Sequence, residues 1–293
     1  MQEAELHRQK LIEAVSETDD TLIEKYLDGV EFTEEEIRKG LREGVVTKRF
    51  VPVFCGSAIK NVGSKLLLEG IIDYLPSPLQ REAAFAIDDK SGEPVDVTAE
   101  DKEFSAFVFK TFADPYAGKL SIFRVYSGKI KNDSQIYNVN KKEYEKISQL
   151  YILQGKNFVK CDELTAGQIG MTTKLKYTNT FDTLSSDVDP ITFPAVTLGE
   201  PVISFSITPK SKEDEDKVSN ALSKLMEEDK GIKLKRDDKT GDLLLSGMGQ
   251  MHVEIVAEKL MKKFNVHVEL NTPKVPYMET IKIKANGQGK YKK

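Results

Sequence analysis

The chain has 293 residues, 39% hydrophobic and 31% charged, with 47 Asp and Glu against 43 Lys and Arg and a formal net charge of −4. That length allows two or more domains with cores of their own, and no apolar run approaches the roughly 20 residues that span a bilayer, which argues against a membrane partner. The two cysteines, Cys55 and Cys161, form no CxxC pair, which speaks against a disulfide framework or zinc site and for a reducing compartment.

The N-terminus is charged and lacks the apolar core of a signal peptide. Residues 1–50 hold 13 acids and 8 bases, whereas residues 282–293 hold five lysines and no acid. Such a distribution neither requires nor excludes RNA as a partner.

In residues 2–16, Leu6, Leu11, Ile12 and Val15 recur at helical spacing. Thr18 is placed to cap a second helix running through Tyr26 and Leu27 to Gly29. Thr33 and Glu36 make the capping-box pattern of a third helix, with a stop by Gly44. These three acidic helices have little core of their own. The run from Arg49 to Cys55 (RFVPVFC) predicts a buried strand, and Leu66, Leu67, Leu68, Ile71, Ile72 and Leu75 predict a helix after it. Strand, tight loop and helix make a βα unit of the kind found in parallel sheets. Only one such strand is visible, so either its sheet is expected to begin before residue 1 or the segment is an orphan.

Residues 80–99 are charged, contain Gly92 and Pro94, and read as a linker. From Phe104 onward, short β-rich runs alternate with turn signals such as Ser127-Gly128, Asn132-Asp133 and Ala166-Gly167. That spacing predicts a small closed barrel. After Pro201 the pattern becomes strand (VISFSITP), amphipathic helix, two short strands around a turn at 238–241, a second helix and a closing strand (NVHVEL). The order βαββαβ is the ferredoxin-like motif.

No GxxxxGK[ST] string is present, so the backbone cradle for nucleotide phosphates is missing. Two DxxG strings, at 89–92 and 238–241, read as turns because Asp and Gly favour them. Asn140-Lys141-Lys142-Glu143 is one residue from the guanine-reading NKxD but lies between two strands, as a hairpin loop does. The three histidines, His7, His252 and His267, form no catalytic set, and no metal site is expected.

Several strings together resemble the elongation factor G family of translational GTPases. Leu245-Ser246 followed by Gly247-Met248-Gly249-Gln250-Met251-His252-Val253-Glu254-Ile255 is similar to its SGMGELHLEI signature, with Gln250 and Met251 in place of Glu and Leu. Phe54 to Gly63 (FCGSAIKNVG), ending in Asp73 to Pro78 (DYLPSP), resembles its CGSAxKNxG…DYLPSP. Gly118-Lys119-Leu120 with Phe123 to Gly128 (FRVYSG) resembles its second domain. Pro201-Val202-Ile203, Ile207-Thr208-Pro209-Lys210 and Glu227-Glu228-Asp229 resemble its third. Lys25-Tyr26-Leu27 with Glu34-Glu35-Glu36 is similar to its GTPase insert.

The resemblance implies an internal fragment and a multidomain fold. Residues 1–50 would be the helical insert of the GTPase domain and 51–79 the last strand and helix of a P-loop GTPase domain. After the linker would come a β-barrel second domain at 100–190, a ferredoxin-like third domain at 198–273, and the start of a fourth at 274–293. It implies a cytoplasmic, monomeric factor for ribosomal translocation of tRNA and mRNA that binds GTP or GDP when full-length. The chain itself, lacking the P-loop, switch and NKxD motifs, is expected to be no enzyme and to hold no nucleotide.

By resemblance, Ser57, Ala58 and Lys60 belong to the guanine-contacting loop. The bare residues equally suit a strand-to-helix turn with Ser57 or Ser64 as cap. Gly247, Met248, Gly249 and His252 would couple nucleotide state to the body of the factor, against the simpler reading of a capped helix start. The family's GTPase-activating histidine belongs to the switch region, so His252 is not given that role. Arg124 and Lys210 would contact small-subunit rRNA, or simply be solvated surface charges, and the acidic helices would meet the large-subunit stalk protein. Two other readings stay open: a ribosomal protection protein or other translational GTPase, and a standalone RNA- or protein-binding module.

Overall fold

A computed structural model describes residues 2–114, 118–186 and 190–292. The chain divides into two compact units, one of residues 1–84 with 98–100, the other of residues 85–97 with 101–293. Among the described residues no helix is long and apolar enough to cross a membrane.

The first unit is helical: α1 (Gln2–Ser16), α2 (Asp20–Leu27), α3 (Glu34–Val46) and α4 (Ser64–Tyr74). The first three do have a core, formed by Val15, Leu22, Phe32 and Ile37 with Ile12 and Leu41 against it. Asp19, rather than Thr18, caps α2, its Oδ1 accepting from the Thr21 N–H at 2.8 Å. The Thr18 hydroxyl instead donates to the Val15 carbonyl at 2.7 Å. The Thr33–Glu36 capping box forms, with Thr33 N–H donating to Glu36 at 2.9 Å and Glu36 N–H donating to the Thr33 hydroxyl at 3.3 Å. The Lys25 ammonium and then Thr33 lower the Glu36 carboxyl from the ordinary 4.5 to about 2. The expected stop at Gly44 is overrun to Val46, because Gly44 is where the Phe50 ring lies against α3 and needs no side chain.

Residues 50–55 form no strand, contrary to the periodicity. Val51 and Val53 are each 85% exposed. A strand exists only through a paired neighbour, and this unit supplies none among its described residues. Phe54 turns back instead onto α4, its ring against Gly70 and 6.3 Å from the Tyr74 ring. Neither Ser57 nor Ser64 caps α4; the cap position is Gly63, at φ +78°.

The second unit opens with β1 (Ala84–Asp88) and β2 (Pro94–Val97), so the charged stretch read as a linker is a hairpin. Its turn is closed by the Asp88 carboxylate, which accepts from the N–H groups of Lys90 and Ser91 at 2.8 and 2.7 Å. The same pentapeptide pattern, DDK-[ST]-G, recurs at 237–241 with the same bonds from Lys239 and Thr240 to Asp237. Both DxxG strings are therefore turns. The N–H groups of Ser91 and Thr240 hold the two carboxyls below the usual carboxylate range.

Ten strands follow: β3 (Ser105–Asp114), β4 (Gly118–Ser127), β5 (Lys129–Lys131), β6 (Gln135–Asn138), β7 (Glu143–Lys146), β8 (Leu150–Gln154), β9 (Asn157–Cys161), β10 (Glu163–Thr165), β11 (Ile169–Thr173) and β12 (Thr183–Ser185). Then β13 (Ile191–Thr192) pairs back on β1. Eight of these strands form one antiparallel sheet in the order β7-β6-β12-β3-β4-β11-β8-β9, while β5 and β10 pair separately. The eight-stranded pairing ends at β7 and β9, while β5 and β10 carry β4 and β11 onward past Gly128 and Gly167: the Ala166 N–H donates to the Gly128 carbonyl at 3.1 Å and the Gly167 N–H to the Val125 carbonyl at 2.8 Å, and Ile130 and Leu164 share the core of the other strands, a β-rich domain rolled around one core. The sheet wraps a core that includes Phe123, Ile136, Ile147, Leu150 and Leu184. The string at 140–143 is the β6–β7 hairpin loop, with Lys142 at φ +58°.

The unit ends with β14 (Ile203–Pro209), α5 (Lys212–Glu228), β15 (Lys233–Arg236), β16 (Leu243–Gly247), α6 (Gln250–Phe264) and β17 (Val268–Asn271). The sheet order is β15-β16-β14-β17, all antiparallel. Ser211 caps α5, accepting from the Asp214 N–H at 3.1 Å. Leu222 and Leu225 of α5 and Val253, Val256 and Leu260 of α6 bury one stripe each against Ile207 and Leu245 of the sheet. Residues 272–292 carry no helix or strand.

Candidate functional site

The turn between β16 and α6 joins the most distinctive residues of the sequence. β16 is the second of the sheet's four strands, and Gly247, its last residue, lies opposite Ile203 of β14. The Val202 N–H donates to the Gly247 carbonyl at 3.0 Å, fixing the strand end. A side chain at 247 would bring its Cβ within 2.9 Å of Val253 Cγ2 and 3.2 Å of His252 Nδ1. Glycine is needed there for that close approach.

Gly249 is the N-cap of α6 and has no side chain to satisfy the helix's first N–H groups. His252, three residues on, reaches back instead: the Met248 N–H donates to its Nδ1 at 3.1 Å. The bond differs from a capping box, in which the N3 side chain accepts from the N-cap N–H: here the imidazole accepts from the residue before the N-cap and so pins the turn rather than the helix start. Because Nδ1 accepts, the ring proton belongs on Nε2, which faces Asp229 Oδ2 at 3.0 Å and donates to it. Asp229 Oδ1 accepts from the Gly231 N–H at 2.9 Å. Burial pushes the Asp229 carboxyl up, but the His252 and Gly231 bonds outweigh it and leave it below its ordinary value.

The structure therefore brings Gly247, Met248, Gly249 and His252 together and adds Asp229, which lies 23 residues from its partner and which nothing in the sequence pattern links to it. Met248 in the turn and Met251 and Ile255 on α6 are exposed apolar side chains, while Gln250 donates to Glu254 at 2.8 Å.

The remaining residues lie elsewhere. Ser57 exchanges backbone hydrogen bonds with Val62 at 2.9 and 3.0 Å, and the Asn61 N–H donates to the Ala58 carbonyl, closing an exposed loop that carries Ala58 and Lys60. Arg124, half-buried on β4, stacks over the Tyr126 ring at 5.6 Å. Lys210, just past β14, pairs with Glu269 at 3.6 Å, and Lys233 pairs with Glu200. Among the described residues no group of His, Cys, Asp and Glu could hold a metal ion.

Two family models match the chain: "Elongation factor G domain 2" over residues 103–187 and "Elongation Factor G, domain III" over residues 198–272, together more than half of it. An elongation factor G from Thermotoga neapolitana is 43% identical over 291 residues, which are 99% of this chain and 42% of that protein. A crystal structure of a protein from Thermus thermophilus superposes with a TM-score of 0.76 at 32% identity, covering 92% of this chain and 38% of that one. The chain thus spans less than half the length of these relatives. With both domain matches in collinear order and an elongation factor G 43% identical across 99% of the chain, the chain belongs to the elongation factor G family.

Proposed function

We propose that this chain is the ribosome-docking and coupling part of a GTP-dependent factor that promotes movement of tRNA and mRNA through the ribosome. The observation that carries this reading is the collinear match to two elongation factor G domains, the second of which contains the turn that His252 braces. In such a factor, nucleotide state biases the arrangement of domains, and the ribosome reads that arrangement. The Gly247–Gly249 turn with His252 is the coupling element, and the exposed side chains of Met248, Met251 and Ile255 are the surface it offers to a neighbouring domain. Arg124 and Lys210 contact small-subunit rRNA, and the acidic helices α1–α3 meet the stalk protein of the large subunit.

In the full-length factor, residues 51–79 supply the last strand and helix of a P-loop GTPase domain, the stretch 50–55 becoming a strand only where that domain offers it a neighbouring edge. Support comes from α4, whose Leu66, Leu68 and Ile72 are all exposed, and from the unpaired apolar residues before it. Lys65, Glu69 and Asp73 make one charged face of α4, and the broad apolar remainder is the kind of surface that is covered in a complete setting, as parallel sheets are covered on both faces. Ser57, Ala58 and Lys60 then form the guanine-contacting loop of the full-length, cytoplasmic, monomeric GTPase.

Without a phosphate cradle, the loop alone contributes little to nucleotide affinity. Titration of this chain with a labelled GTP analogue is expected to show no binding tighter than roughly millimolar, about −4 kcal/mol. Micromolar affinity would contradict this reading of the loop.

A further inference from the structure

The last turn of α5 is held from two sides. From the sheet of β3–β12 and its connecting loops, the Lys110 ammonium donates to the Glu228 carbonyl at 2.7 Å, and the Thr111 hydroxyl donates to the Glu227 carbonyl at 2.8 Å. The Thr180 hydroxyl lies 2.7 Å from that of Thr111, and Lys119 pairs with the Glu227 carboxylate at 3.5 Å. These are end-of-helix carbonyls, which lack intrahelical donors and favour a cation. The Glu228 side chain, 3% exposed, is clamped by Lys263 and Lys259 of α6 at 2.7 and 3.6 Å. The next residue is Asp229, whose carboxylate holds His252, which in turn holds the Met248 N–H.

We propose that Asp229 is the positioning residue through which the β3–β12 sheet sets the shape of the Gly247–Gly249 turn. When the sheet shifts, the carbonyls of Glu227 and Glu228 lose their donors and the α5 terminus loosens. Asp229 then leaves Nε2 of His252, the ring is free to turn, and the Met248 N–H loses its acceptor. The proposal rests on the coupling role given to the turn above, yet it is tested without ribosome or nucleotide, so the two ideas fail separately.

The test is amide hydrogen exchange of the whole chain, read at Met248. Lys110→Met keeps the aliphatic stem and removes the donor; Thr111→Val keeps the shape and removes the hydroxyl. Each is expected to speed Met248 exchange about fivefold while leaving Val125, whose N–H donates to Gln168 within the sheet, unchanged. His252→Asn retains an acceptor near Nδ1 but cuts the link to Asp229. In that background both substitutions should leave Met248 exchange unmoved. Asp229→Asn, which still accepts from Nε2, should keep Met248 protected, and Asp229→Ala should not. If Thr111→Val also exposes Val125, it has disrupted the sheet, and Lys110→Met decides. No change at Met248 with Lys110→Met, or an equal change in the His252→Asn background, overturns the proposal.

Discussion

Gly128→Ala is expected to destabilise the sheet of β3–β12 by about 2–5 kcal/mol, the combined scale of left-handed backbone strain and overpacking. Gly128 follows β4 at φ +61°, and a Cβ there would lie 2.6 Å from the Lys102 carbonyl oxygen and 2.7 Å from the Glu103 carbonyl carbon. Both are backbone atoms and cannot swing aside as a side chain can. The segment is also pinned: the Gly128 N–H donates to Asp101 at 2.9 Å, and the Ser127 hydroxyl donates to the Glu103 carbonyl at 2.7 Å. Gly155 supplies the control, since it has the same φ of +61° and nothing within 4 Å of its would-be Cβ. Gly155→Ala should cost only the strain, about 1–2 kcal/mol. Denaturant melts of the two variants separate the effects, and equal losses would show that the close approach is not what demands glycine.

Leu245→Ala is expected to cost about 2–5 kcal/mol, the range for emptying a fully buried leucine site. Leu245 is completely buried at the middle of β16, between Phe205 of β14 and Leu234 of β15 in the register. It packs in the cluster that Leu222 and Leu260 share from the two helices. The cavity would sit two residues before Gly247, so the strand that leads into the Gly247–Gly249 turn is the one weakened. Leu244, on the opposite face of β16 and only half-buried, should tolerate alanine with a much smaller loss. Urea titration followed by helix ellipticity reads both; a Leu245→Ala midpoint equal to that of Leu244→Ala would refute the core assignment.

Where a segment carries its own pattern, the sequence is a good guide. The Thr33–Glu36 capping box, the apolar stripe of α5 and the Asp–Gly turns are all local, and each forms from residues within a few positions of one another. Failures occur where the outcome depends on partners the string cannot display. Residues 50–55 have the composition of a buried strand, but a strand needs a neighbouring edge, and Val51 and Val53 stay exposed. The hairpin of β1 and β2 lies in a charged stretch whose only strand signals are four or five residues long, and it is completed by β13, about a hundred residues away. Strands such as β12, three buried residues long, are too short to show a period.

The candidate site divides in the same way. The glycine turn and His252 are visible as a string, whereas Asp229 and the donors Lys110 and Thr111 are brought there by long-range packing. No spacing rule links them.

The most direct test uses the whole factor carrying this segment on pre-translocation ribosomes, comparing wild type with His252→Ala in parallel assays of GTP hydrolysis and of tRNA–mRNA movement. If the turn couples nucleotide state to domain arrangement, movement slows about tenfold while hydrolysis stays within about twofold, a size typical of coupling between sites. Movement at the wild-type rate, or both activities falling together, would contradict the account.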